Sequence, residues 1–145
     1  MFKYFLPLFI FLIITVQAQE TNHKWKQLNG NSKQKYWYDS SMLDSVKNDN
    51  FSIWILQEHN PPMVFDEIKG EINRSKTLYT VDLKSVKYGI LKVVYYDAMN
   101  KEIASFDYNT GKFTDEVKYT YPVTEDSPVY MFIKEYFSKK GKFVK

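Results

Sequence analysis

The residue types able to carry catalysis are few. Cysteine is absent, and His23 and His59 are the only imidazoles in 145 residues. Thiol nucleophiles and thiolate metal sites are therefore excluded by composition. A serine triad needs a histidine beside its nucleophile. His23, however, falls in a polar N-terminal stretch and His59 stands beside Pro61-Pro62, neither near Gly-x-Ser-x-Gly or a similar elbow. The densest titratable group is Glu58, His59, Asp66 and Glu67 around that proline pair, which reads as a polar loop rather than a four-ligand site. Glycines are scattered singly, so no loop is built to cradle phosphate. Carboxylates are plentiful, but no motif selects two of them as a glycosidase pair. A non-enzymatic protein is expected, with no cofactor and no metal.

The remaining charged features read as surface. Lys134, Lys139, Lys140, Lys142 and Lys145 would make a patch for anionic glycans or headgroups, but cations at the end of a helix are expected because they oppose its dipole. The formal net charge of +3 falls to +2 if Lys3 is removed, too little to suggest a nucleic-acid partner. Asn50 and Asn73 begin Asn-x-Ser sequons, which matter only in a eukaryotic secretory pathway.

Lys3 precedes an apolar run from Phe5 to Val16, and "VQA" follows it. That order is a cleavable signal peptide, residues 1–18, ending before Gln19. The run falls short of the roughly 20 apolar residues of a membrane span. Export is expected, to the periplasm or the exterior, with association at the cell surface left open. Without cysteine for lipidation, no stable membrane anchor is expected after the leader is removed. Residues 19–145 have the length of one domain, stabilised by packing alone.

Along that domain, Trp25 to Leu28 and "KYWYD" read as a hairpin about a turn at Asn29-Gly30. "DSSMLDSVKNDN" has loop composition, with one helical turn after Asp39. "FSIWILQEH" is a third strand that should stop before Pro61-Pro62. "KTLYTVDLK", "KYGILKVVYYD" and "EIASFDYN" supply three more. Strands at short spacing without helical patterns between them form an antiparallel meander. Near the end, Ser127 is a good N-cap and Pro128 suits the first helical position. Val129, Phe132, Ile133, Tyr136 and Phe137 recur at helical spacing. The expected fold class is α+β: a single antiparallel sheet of about six strands with a C-terminal amphipathic helix on one face.

One helix covers one face of a sheet, so the other face is solvated, covered by the N-terminal segment, or used for contact with another chain. Strand alternation places Thr77, Tyr79, Val81 and Leu83 on one side and Leu78, Thr80 and Asp82 on the other. In the next strand, strict alternation makes Leu91, Val93 and Tyr95 the core set. Tyr88, Lys92 and Tyr96 then form a less buried set and the candidate protein-binding surface.

"YWYDSSML", "IWIL" before a proline-containing loop, "SKTLYTVDLKSVKYGILKVVYYD" and "YPVTEDSPVYMFIKEYF" together resemble the surface-adhesin E family of small exported bacterial proteins. The resemblance spans about Trp25 to Phe137 and is most specific at Lys76-Thr77-Leu78-Tyr79, Asp82 and Tyr88. It implies a six-stranded antiparallel sheet under a C-terminal helix, and attachment to host matrix or serum proteins. The alternative role for such a domain is structural or inhibitory within the periplasm or envelope, with self-association in place of a host ligand. Members of the family commonly tie helix to sheet by a disulfide. This chain has Leu83 and Phe137 at the corresponding positions, so an apolar contact is expected there instead.

Overall fold

A computed structural model describes residues 22–29, 34–109 and 115–139. The leader at 1–18, the turn residues 30–33 and the lysines beyond 139 lie outside the described residues. Six strands follow one another along the chain: β1 Trp25–Gln27, β2 Lys35–Asp39, β3 Asn50–Met63, β4 Ile72–Asp82, β5 Lys87–Tyr96 and β6 Glu102–Asp107. They pair antiparallel in the same order, forming the expected meander. β2 leads into a 3₁₀ helix, Ser40–Lys47, whose first turn is capped by the Asp39 side chain accepting from Ser41 N. The C-terminal helix α2, Pro128–Lys139, starts as its sequence indicates, with Ser127 Oγ accepting from Tyr130 N at 3.1 Å. Among the described residues no helix is long and apolar enough to cross a membrane.

Pairing decides which side chains meet α2. Phe51, Ile53 and Ile55 of β3 stand opposite Val81, Tyr79 and Thr77 of β4, and Tyr38 of β2 stands opposite Ile55. Paired residues share a face, so one side of the sheet is nearly continuous apolar surface. Val129, Phe132, Ile133 and Tyr136 of α2 close over it, with Val46 added from the 3₁₀ helix. Leu83 and Phe137 are both partly buried against this cluster. They line one cavity of about 630 Å³ with Val46, Val123 and Ile133, so the pair occupies the layer between helix and sheet.

Three features depart from the sequence expectation. β3 does not stop at the prolines. It runs on to Met63, which pairs with Ile72, and the irregularity between Glu58 and Met63 accommodates the cis Asn60-Pro61 bond. A proline is compatible with a strand where the ladder is already broken and no N–H is required. Two short elements, α1 Asp115–Lys118 and β7 Tyr121–Pro122, carry no periodic signal. β7 pairs with Lys87 and Tyr88 at the stretch of β5 that β6 leaves free. The third departure is a bulge in β5. Leu78 pairs with Lys92 but Tyr79 pairs with Ile90, so Leu91 is an extra residue and the alternation inverts across it. Tyr88 and Ile90 therefore face α2 together with Val93 and Tyr95.

Gly89 shows how closely α1 approaches the sheet. It pairs with Thr80 on the side away from α2, and a Cβ there would collide with the carbonyl oxygen of Lys118. Backbone rather than a flexible side chain would have to yield. Gly89→Ala should cost about 1–3 kcal/mol as overpacking. Hydrogen exchange should localise that loss to Val123 N, which donates to Val86 O at 3.0 Å, and spare the β3–β4 ladder. Unchanged protection at Val123 would show that the α1 segment gives way without cost.

Candidate binding face

The side chains pointing away from α2 are a different population. Trp25 on β1, Trp37 on β2, Trp54 on β3, Lys76 and Leu78 on β4, and Lys92, Val94 and Tyr96 on β5 all fall on this face by register. It holds all three tryptophans of the chain. Trp37, Leu56, Lys76 and Val94 form one cross-strand row, and Trp54, Leu78, Lys92 and Asp107 form the next. Val94 is buried, whereas the tryptophans, Lys76 and Tyr96 are half-buried. Rings and cations are thus fixed by the sheet while part of each remains open to solvent.

The centre of the face is a polar chain running Asp39, His23, Lys76. Asp39 is only 2% exposed. Its Oδ1 accepts from Lys24 N and Ser41 N, both at 3.0 Å, and from Ser41 Oγ at 2.6 Å. Its Oδ2 accepts from His23 Nδ1 at 2.6 Å. Burial alone would raise the pKa, but the hydrogen bonds from Ser41, His23 and the backbone outweigh it and hold the group down to about 2. An ionised carboxylate only accepts, so it takes the Nδ1 proton of His23. Nε2 is left to accept from Lys76 Nζ at 3.3 Å.

The His23 ring lies 4.8 Å from Trp25 and 5.6 Å, edge-on, from Trp54. Lys76 Nζ sits over two ring faces, 5.1 Å from the centroid of Trp54 and 5.9 Å from that of Tyr96. Burial lowers the Lys76 pKa and repulsion from Lys92 adds to it, with Glu102 and Asp39 opposing. The N-terminal segment is also tied by Ser40, whose N and Oγ both donate to Lys24 O at 2.8 Å. Beside this chain lies a depression of about 300 Å³. Its walls are His23, Trp25, Leu56 and Tyr96, together with Lys76, Arg74 and Asn100.

The candidate set Tyr88, Lys92 and Tyr96 is not one surface. Lys92 and Tyr96 lie on the tryptophan face, as expected. Tyr88 pairs with Val81 on the helix side, edge-on to Tyr79 at 5.6 Å and 5.5 Å from Tyr121. Nor does burial separate the two sets. Tyr88, Lys92 and Tyr96 are half-buried, but so are Leu91 and Tyr95, and only Val93 is buried. The bulge at Leu91 is the physical reason, since it resets the alternation on which both sets depend.

The group at the prolines does not assemble either. His59 belongs to β3 and is buried, with Nε2 2.8 Å from Ser75 Oγ and Nδ1 without a partner among the described residues. Burial lowers its pKa, favouring the neutral ring. Asp66 and Glu67 are exposed in the following turn, and Glu58 reaches Arg74 at 4.0 Å. Among the described residues no cluster of three His, Asp or Glu side chains is placed to hold a metal ion. No family model, curated protein or solved structure matches the chain.

Proposed function

We propose that the chain is an exported, non-enzymatic binding protein of the surface-adhesin E type, which holds a protein partner on the face opposite α2. One observation carries this reading: all three tryptophans, with Lys76 and Tyr96 among them, are presented on that face by four neighbouring strands and β1. Half-buried rings on a rigid sheet lose little side-chain entropy on contact, and Trp, Tyr and Arg dominate the energetics of protein interfaces. The polar chain supports binding over hydrolysis. His23 Nε2 meets an ammonium, not a hydroxyl that it could activate as a nucleophile.

Fractionation of cells expressing the full chain should find residues 19–145 outside the cytoplasm. The mature protein should bind within a panel of immobilised host matrix and serum proteins. Replacing Trp25 and Trp54 together with alanine should weaken that binding at least about 10-fold. Lys134→Ala, on the exposed side of α2, should leave it unchanged. If no host protein binds while sedimentation shows a dimer that the tryptophan variant abolishes, the domain works by self-association in the envelope. Retention in the cytoplasm would overturn export, and binding indifferent to both tryptophans would overturn the use of this face.

A further inference from the structure

We propose that the depression between β1, β4 and β5 is a carboxylate-binding pocket, which takes a small acid carrying a flat apolar ring. The proposal rests on the reading of this face as the contact surface and names what the face recognises. Lys76 and Arg74 stand two residues apart on the same side of β4, and both reach the depression. Lys76 Nζ spends one proton on His23 Nε2 and sits over two aromatic faces. Among the described residues no carboxylate comes within the 4.0 Å of an ion pair with it. Arg74 donates from Nη1 to Asn100 Oδ1, and among the described residues the one carboxylate within 4.0 Å is that of Glu58, at the limit of an ion pair with Nη2.

Two cations therefore enter one wall of a depression whose lining, among the described residues, includes no Asp or Glu. A partly desolvated ammonium whose nearest carboxylates, Glu102 and Asp39, stay beyond ion-pair contact gains from an anion placed beside it. The opposite walls, Trp25, Leu56 and Tyr96, are apolar or aromatic and suit the face of a ring. A volume of about 300 Å³ admits a single ring with its acid group but not an extended chain. Asp39 behind His23, Glu102 paired with Tyr96 and Glu58 against Arg74 make a single negative charge a better fit than a phosphate dianion. The acid comes either as a free aromatic carboxylate or as the C-terminal aromatic residue of a partner chain, which presents the same two groups.

Titration of the purified mature protein with phenylacetate, phenylacetamide and acetyl-Gly-Gly-Phe, the last with a free or an amidated C-terminus, tests this. Binding is read from the three indole N–H signals. Phenylacetate should move the Trp25 signal and leave that of Trp37 in place. Lys76→Gln should weaken binding about 10-fold or more, and Arg74→Gln about 3-fold to 10-fold, as expected for charge-assisted contacts. Arg74 is the safer variant because its side chain is 41% exposed. A free-acid peptide that binds more tightly than phenylacetate marks a protein C-terminus as the source. Phenylacetate binding with peptide exclusion marks a free acid. Phenylacetamide binding as well as phenylacetate, no binding of any acid, or binding indifferent to both cations would overturn the pocket. The two proposals fail separately: loss of partner binding in the Trp25 and Trp54 variant, with no acid bound by the parent protein, would keep the face and discard the pocket.

Discussion

Phe132→Ala should be the most damaging truncation in the molecule, lowering stability by about 3–5 kcal/mol. The ring has no exposure and lies where three elements meet. It is 5.1 Å from Tyr38 on β2, 6.0 Å from Phe51 on β3 and 5.6 Å from Tyr136 one turn along α2. Neighbouring rings leave a gap that they cannot refill in staggered rotamers, so cavity and lost transfer energy add. A domain of this size has about 5–15 kcal/mol in total, and no disulfide constrains the unfolded chain here. Urea unfolding should show a midpoint reduced by about a fifth or more, whereas Lys134→Ala should stay within about 0.5 kcal/mol. A small shift for Phe132→Ala would mean that α2 is not what closes the core.

Asp39→Asn should cost about 2 kcal/mol at pH 7 and also change the pH profile. The carboxyl group titrates at about 2 in the fold against an ordinary value of 3.8. A depressed carboxylate contributes stability that is present above the ordinary value and is lost as pH falls through the folded one. The difference of nearly two pH units is worth about 2 kcal/mol, lost between about pH 4 and pH 2. His59 acts higher on the scale. Its folded pKa is lowered, so protonation favours the unfolded chain and stability begins to fall below the ordinary histidine value. Denaturation measured from pH 7 to pH 2 should therefore show two declines in the parent protein, and Asp39→Asn should shrink the lower one, leaving the share of Asp82, whose carboxyl the Ser85 hydroxyl also holds below its ordinary value. An unchanged slope below pH 4 would show that Asp39 is not the group responsible. Because the same carboxylate holds Lys24 N and His23, residues 22–28 should lose their amide protection first.

Much of the architecture is legible in residue order because its causes are local. Runs rich in Val, Ile and aromatic residues mark β2 to β5, and Ser127-Pro128 marks the start of α2 with a cap that the structure uses. The bulge at Leu91 is not local in this sense. Nothing in "YGILKVV" distinguishes an extra residue from an ordinary one. The inversion follows from how β4 pairs, and it sends Tyr88 to the opposite side from Lys92 and Tyr96. Pro61-Pro62 misleads for a related reason, since a proline forbids a ladder bond only where one is needed. The polar chain was equally hidden. His23 is 16 residues from Asp39 and 53 from Lys76, and each looks unremarkable in its own segment. The one available hint was a hydrophilic N-terminal stretch with a tryptophan and a histidine at alternate positions, which places both on the same side of a strand.

The meander also governs the timing of assembly. Because strand order is chain order, each of β2 to β6 finds its partner immediately behind it, and loop closure stays short from β1 to β6. Growth by successive hairpins is rapid in principle and requires no distant segment. The lid is the exception. Phe132 must return over Tyr38 and Phe51, more than eighty residues earlier, and it belongs to α2, which is synthesised after every strand it covers. Until that helix arrives, a nascent chain carries a formed or forming sheet with a bare greasy side, the species that aggregates or engages a chaperone. A domain with this connectivity is therefore vulnerable late in its synthesis, and most of all to chain termination just short of Pro128.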